Sequence, residues 1–182
     1  MIHLTTSELE SGIDQIMDAP PVSGSLSLIV RRPSEGEREV LEMAQLDLVE
    51  GLVGDSWRRR ASLTSDGTPD TATQVNVMSA RAVALIAGDP ERWQLAGDQL
   101  YVDFDISEDN LPAGSRLEIG AAVLEVSSKP HSGCQKFSQR FGVDALRFVN
   151  SEAGRKLRLR GLNARVAVPG TVRRGDHVRK LP

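Results

Sequence analysis

The nine residues KPHSGCQKF, 129–137, hold the one cysteine of the 182-residue chain, Cys134, with His131 three residues before it and Lys129 and Lys136 on either side. A lone cysteine most often packs as a small apolar side chain. Here its neighbours are His131, Ser132, Gly133, Gln135 and Lys136, a polar and flexible setting poorly suited to a core. A helical pattern starts at this point, so Cys134 is expected at or near a helix N-terminus, where free N–H groups and the helix dipole favour the thiolate. With Lys129, His131 and Lys136 adding positive charge, a lowered thiol pKa is the expectation. A thiolate serves as a nucleophile, as a soft metal ligand or as the carrier of a transferable sulfur atom. On the residues alone, packing and reactivity both stay open for Cys134, and the setting favours reactivity.

Other residues could do chemistry, and each has a plainer reading. Asp55, Asp98 and Asp176 each follow a glycine and are far apart, so turn chemistry is the first expectation and acid–base work the second. Gln74 and Asn76 share one face of TQVNVM and either point amides into a pocket or lie on the solvated side of an edge strand. Arg58, Arg59 and Arg60 form a basic run that reads as a solvated turn before it reads as a phosphate contact. The three histidines, His3, His131 and His177, are too far apart for a zinc ligand set, and a single cysteine makes no internal disulfide. There is no GxGxxG, no Walker-type loop, no GxSxG and no HExxH.

The elements that must position these groups follow from the apolar patterning. Residues 7–18 are expected to form an N-terminal helix with a capping box from Ser7 and Glu10, ended by Pro20-Pro21. SLSLIV (25–30) and EVLEMAQLDLVEGL (39–52) read as strands of a hairpin-like pair. A polar loop, 61–72, leads to a strand at 73–78 and a helix at 79–88, with Ser79 as N-cap and Gly88 as stop. Short strands are expected at 99–107, 115–120 and 122–128, then one or two short helices broken near Gly142 and ending by Gly154. Strands at 161–168 and 177–181 close the chain. Their spacing predicts a mostly-β (α+β) fold, an antiparallel β-barrel with a few short peripheral helices.

Composition sets the class. At 19.8 kDa and 40% apolar residues the chain has the size of one domain, with an N-terminal helical extension, 1–21, and a barrel domain, 22–182. No apolar run is long enough for a membrane span and no signal-peptide pattern opens the sequence, so a soluble, cytoplasmic protein is expected. The net charge is −3, but from Lys129 onward there are 13 Lys/Arg against three Asp/Glu. Such asymmetry can mark the footprint of an anionic ligand, nucleic acid included.

Several stretches occur in an order that resembles the MOSC family, named after the C-terminal domain of molybdenum cofactor sulfurase, and in particular its small stand-alone bacterial members. These are GLVGD (51–55), TQVNVMSARAVALIAG (73–88), GDQLYVDFDISEDNLPAGSRLEIGAAVLEV (97–126), PHSGCQKFSQRFG (130–142) and RGLNARVAVPGTVRRGDHV (160–178). The resemblance spans roughly residues 22–181. It implies a β-barrel and a cysteine that takes up sulfur or coordinates molybdenum in a molybdopterin-type cofactor. On that reading Cys134 is the ligand or sulfur carrier, with His131 as its catalytic companion. Lys129, Lys136, Arg160, Asn163, Arg165, Gln74 and Asn76 are the candidates for holding the cofactor, the arginines suiting its phosphate.

The chain also departs from its relatives. The aminotransferase-like domain of the sulfurase has no counterpart here, so pyridoxal phosphate is not expected. The N-terminal barrel of the amidoxime-reducing members is missing too, which implies a less enclosed pocket or one completed by a partner or second subunit. Ser56 and Trp57 stand after Asp55 where many relatives have a basic residue and histidine. Three functions are therefore weighed. The first is a molybdenum-cofactor or sulfur-handling protein, acting as an oxidoreductase on N-hydroxylated compounds with an electron- or sulfur-donor protein as partner. The second is a non-catalytic carrier of the cofactor. The third, an RNA-binding barrel, is disfavoured by seven aromatic residues and an acidic remainder.

Overall fold

The computed structural model describes residues 3–182. Two short helices come first, α1 (Thr6–Ser11) and α2 (Ile13–Met17). The capping box is Thr5 with Glu8, not Ser7 with Glu10: Thr5 N–H donates to Glu8 Oε2 at 2.8 Å, and Glu8 N–H donates back to Thr5 Oγ1 at 3.4 Å. TTSELE offers the same three-residue spacing twice, and the earlier frame turns Leu9 into the core, where it is 1% exposed. Thr5→Ala is expected to cost about 1 kcal/mol, read as a small drop in thermal midpoint.

The strands follow as β1 (Ser23–Arg31), β2 (Glu39–Leu41), β3 (Met43–Asp47) and β4 (Gly51–Leu52), then α3 (Trp57–Arg60), β5 (Val75–Ser79) and α4 (Ala80–Ala87). After a 3-10 segment at Pro90–Ala96 come β6 (Leu100–Asp103), β7 (Arg116–Ile119) and β8 (Ala122–Val126). Three helices, α5 (Gln135–Phe141), α6 (Val143–Asn150) and α7 (Glu152–Lys156), precede β9 (Leu162–Val168), β10 (Gly170–Arg173) and β11 (His177–Lys180). Seven strands close into a barrel in the order β11-β7-β8-β9-β5-β6-β1, with β1 returning to β11. β2 extends β1 outside the closure, and β10, β3 and β4 form a second small sheet. One pairing departs from the antiparallel expectation: β5 and β6 run parallel, because α4 and the 3-10 segment carry the chain back between them.

Alternation along the strands builds two apolar layers. Val75 and Val77, Leu100 and Val102, and Leu162 and Ala164 point into the barrel with Phe104 and Leu124. Their opposite-face neighbours Met78 and Tyr101 meet Val83, Ile86, Phe137, Phe141 and Phe148 of the helices. In β1 the register against β6 shifts between Leu26 and Leu28. This bulge lets Leu26 and Ile29 face inward while Leu28 and Val30 face the helices, so both sides of SLSLIV are buried. Each such side chain contributes about 1.5–3 kcal/mol of transfer free energy. The helical layer is what carries the cysteine.

Candidate functional site

Phe137 and Phe141, one turn apart on α5, are buried with ring centroids 4.9 Å from each other and pin the helix to the barrel. The helix stops at Gly142, whose φ of +92° is easy only for glycine. With that face committed to the core, the residue that begins the helix is left outside: Cys134 is the N-cap of α5 and is exposed. It is no apolar filler.

The segment before it, residues 129–133, makes no backbone-to-backbone hydrogen bond among the described residues. Two asparagines hold it instead. Asn163 on β9 donates from Nδ2 to the carbonyls of Lys129 at 3.2 Å and Pro130 at 3.1 Å. Asn150, at the end of α6, accepts from Gly133 N–H at 2.9 Å and donates to Gly133 C=O at 3.1 Å. A side chain at Gly133 would place its Cβ 2.8 Å from Leu146 and 2.9 Å from Val149, so glycine permits this close approach. The position of the sulfur thus rests on two amides and one glycine.

Cys134 opens onto a cleft of about 230 Å³ walled by cations from four segments of chain. Arg32 follows β1, Arg38 precedes β2, Arg60 ends α3, Lys136 and Arg140 lie on α5, and Arg160 precedes β9. Two of them are locked to buried carboxylates. Arg32 makes a two-point pair with Asp55, Nε to Oδ2 and Nη2 to Oδ1 both at 2.9 Å, and its Nη1 reaches Asn76 Oδ1 at 3.1 Å and Gly97 C=O at 2.7 Å. Arg160 meets Asp98 at 2.5 Å and lies 5.0 Å over the Phe137 ring. Lys136 pairs with Glu35 at the rim. Arg38 and Arg140 have no carboxylate within 4.0 Å among the described residues, and Arg60 reaches Asp55 only at 3.8 Å. Burial and the neighbouring Arg140 and Arg32 push Arg38 below the usual guanidinium range; burial and Arg32 do the same to Arg60. The cleft holds positive charge in excess beside an accessible thiol.

The other predicted residues separate. Asn76 and Asn163 face each other in the β5–β9 register and bond through Asn76 Nδ2 to Asn163 Oδ1 at 2.6 Å, so they join Arg32 to the cysteine loop. Gln74 is fully buried away from the cleft, accepting from Val166 N–H at 2.8 Å and donating to Leu48 C=O at 2.9 Å. Arg165 is exposed and pairs with Glu125 at 2.7 Å; Lys129 pairs with Asp70. Neither lines the cleft. Of the three Gly-Asp aspartates, Asp176 is the turn residue, accepting from Arg173 N–H at 2.7 Å, whereas Asp55 and Asp98 are buried counter-ions. Arg32, Arg38 and Arg140 carried no signal in the sequence, since Arg32 and Arg38 sit in the polar connection RRPSEGER and Arg140 is one basic residue within a helical stretch.

His131 does not line the cysteine cleft either. Its side chain is 16% exposed, with Nδ1 at 3.4 Å from Asp98 Oδ1. Burial, reinforced by Arg160 and Arg32, drives its pKa well below the ordinary imidazole value, while burial raises Asp98 against the pull of Arg160. The imidazole is neutral. Its ring resonances are expected to stay unshifted between about pH 8 and pH 5, the span in which an ordinary histidine titrates.

Within the basic C-terminal third, Arg165, Arg174 and Arg179 pair with Glu125, Glu42 and Glu118 at 2.7–2.8 Å, so part of the charge asymmetry along the chain is cancelled in space. No group of three or more His, Cys, Asp or Glu side chains that could hold a metal ion occurs among the described residues, and no helix among them is long and apolar enough to cross a membrane.

Comparison with known proteins gives a consistent picture. Residues 70–179 match the MOSC domain. YuaD of Bacillus subtilis superposes with a TM-score of 0.64 at 18% identity, covering 86% of this chain and 94% of that one. YiiM of Escherichia coli gives 0.56 at 18% identity over 87% and 70%, and YiiM of Geobacillus stearothermophilus 0.53 at 12% over 87% and 73%. At these identities the likeness is one of fold. A search of curated proteins finds no significant match.

Proposed function

The chain belongs to the MOSC domain family, and from that premise we propose that it binds a molybdopterin-type cofactor, with Cys134 as the soft ligand and the surrounding cations as the seat of the phosphate. One observation carries the reading: an exposed thiol stands at the edge of a cleft where Arg38 and Arg140 have no carboxylate partner among the described residues and Arg60 reaches only Asp55, at 3.8 Å, which Arg32 already pairs. Unmatched, partly desolvated guanidinium groups favour a multiply charged oxyanion, and a thiolate favours a soft metal or a transferable sulfur atom. The two preferences meet in a phosphorylated, sulfur-rich metal cofactor.

Such a cofactor, when bound, supplies two-electron chemistry of the kind that reduces N-hydroxylated compounds. The residues of this chain provide the setting. Asn150 and Asn163 hold the loop that fixes Cys134 Sγ, and Arg160, kept in place by Asp98, sets a positive charge at the inner wall. Lys136 Nζ is the side-chain proton donor on the same helix as the sulfur, and an incoming anion competes with Glu35 for it. The exposure of Cys134 and Lys136 favours hand-over of the cofactor as well as turnover, so a carrier role is the second reading.

The test is retention. Protein made in a cofactor-producing host should carry molybdenum and pterin in comparable amounts, and Arg38→Ala with Arg140→Ala should lower both about tenfold or more. Wild-type protein carrying neither would end this reading. Reduction of an N-hydroxylated base with a supplied electron donor separates enzyme from carrier.

A further inference from the structure

A second cavity, of about 340 Å³, shares no lining residue with the cysteine cleft. It lies among residues 108–113, the segment 127–131, the end of α7 and the start of β9, and three features there have no role so far.

The first is His131, which lines it. Imidazole Nδ1 and Asp98 Oδ1 face each other at 3.4 Å, both buried and neither with a hydrogen-bond partner among the described residues. With Arg160 on its other oxygen, Asp98 stands as an acceptor. A neutral imidazole with its proton on Nδ1, toward that acceptor, would leave the Nε2 lone pair free for a ligand in the cavity that His131 lines.

The second is Arg158, the one non-glycine residue among those described with a positive φ, +49°. Such a backbone costs about 1–3 kcal/mol and concentrates at binding sites. Its Nη1 donates to the carbonyls of Leu111 at 2.7 Å and Ile106 at 3.3 Å, and no carboxylate lies within 4.0 Å of it among the described residues. Burial pushes this guanidinium below its ordinary value, and Glu108 opposes that shift from a distance. Glu108 itself is the third feature: an exposed carboxylate on the cavity wall that makes no ion pair within 4.0 Å among the described residues.

The cavity thus presents two cations without a bonded anion among the described residues, the exposed Arg155 and the half-buried Arg158, together with one anion without a bonded cation and one neutral ring. We propose that it is a second binding site, for a free α-amino acid, whose carboxylate is taken by Arg158 and whose ammonium is shared by Glu108 and His131 Nε2. The volume is sufficient for such a molecule and falls at the small end of ligand pockets. The site is independent of the cysteine cleft and of what that cleft binds.

The experiment follows the His131 ring by nitrogen-15 NMR while the full chain is titrated with alanine, methionine and phenylalanine, and separately with propionate and ethylamine. At least one amino acid is expected to shift the ring saturably, with a dissociation constant on the order of 1 mM, in keeping with so small a ligand. Propionate and ethylamine, each carrying half of the recognised group, should bind at least about tenfold more weakly. Glu108→Gln, an exposed and structurally mild change, should weaken the amino acid about tenfold and leave propionate unaffected, while Cys134→Ser should change nothing. A ring that none of the three amino acids moves overturns the proposal. So does an equal response to propionate and amino acid, which would mark a plain anion site.

Discussion

Cys134→Ser protein, purified from a cofactor-producing host, should contain essentially no molybdenum by mass spectrometry, with pterin reduced in step, while folding like the parent. The hydroxyl of serine is a hard donor that stays protonated at neutral pH, so it replaces neither the softness nor the charge of a thiolate. Folding should be spared because the cysteine side chain is exposed and caps α5 without a side-chain hydrogen bond. A stability change within about 0.5 kcal/mol is therefore expected. The two readouts belong together. Loss of metal with an unchanged thermal midpoint identifies a ligand, whereas full retention of molybdenum in the serine variant would remove Cys134 from the site altogether.

Arg32→Met should produce the largest loss of stability, about 3–5 kcal/mol by denaturant titration, which in a chain of this size corresponds to roughly 10 °C in thermal midpoint. Asp55 has no exposed side-chain surface, and Arg32 supplies three of its hydrogen bonds, from the backbone N–H, Nε and Nη2, each at 2.9 Å. Among the described residues, Trp57 N–H, at 2.8 Å, is the only other donor in hydrogen-bond range. Methionine fills the same volume without charge, so the cost measures an abandoned carboxylate and not a hole. The damage should reach the cleft too, since Arg32 Nη1 links Asn76 to the Gly97 carbonyl. Asp55→Asn in the same background should recover part of the loss by removing the stranded charge. A deficit under about 1 kcal/mol in Arg32→Met would mean that water reaches Asp55 and that the pair is not a keystone of this wall.

Local signals carried far in this chain. Ser79 and Gly88 bracket α4, Gly142 separates α5 from α6, and the alternating runs at β5, β8 and β9 lie within a residue or two of their expected spans, because each depends on neighbours in sequence. What failed depends on distant partners. PGTV, residues 169–172, reads as a turn, yet Gly170–Arg173 becomes β10 by pairing with β3, Thr171 opposite Gln45. The single strand expected over 39–52 is three short ones, because the chain leaves β1 after Leu41 to enter the other sheet. The site divides in the same manner. The cysteine with its polar loop was visible as a contiguous string, whereas the arginine wall is assembled from residues up to 128 positions apart, Arg32 to Arg160, and two Gly-Asp pairs that look like turns anchor it from behind.

Arg32, Arg38 and Arg60 enter the cleft from positions before the matched span 70–179, while Cys134, Lys136, Arg140 and Arg160 come from within it. Two stretches of polypeptide, one before the matched span and one within it, therefore meet at one opening: the first contributes half of the charge that selects an anion, the second contributes the sulfur. Changes at Arg38 and Arg60, which make no hydrogen bond to the cysteine loop, can retune which anion is welcomed without disturbing the atom that awaits it.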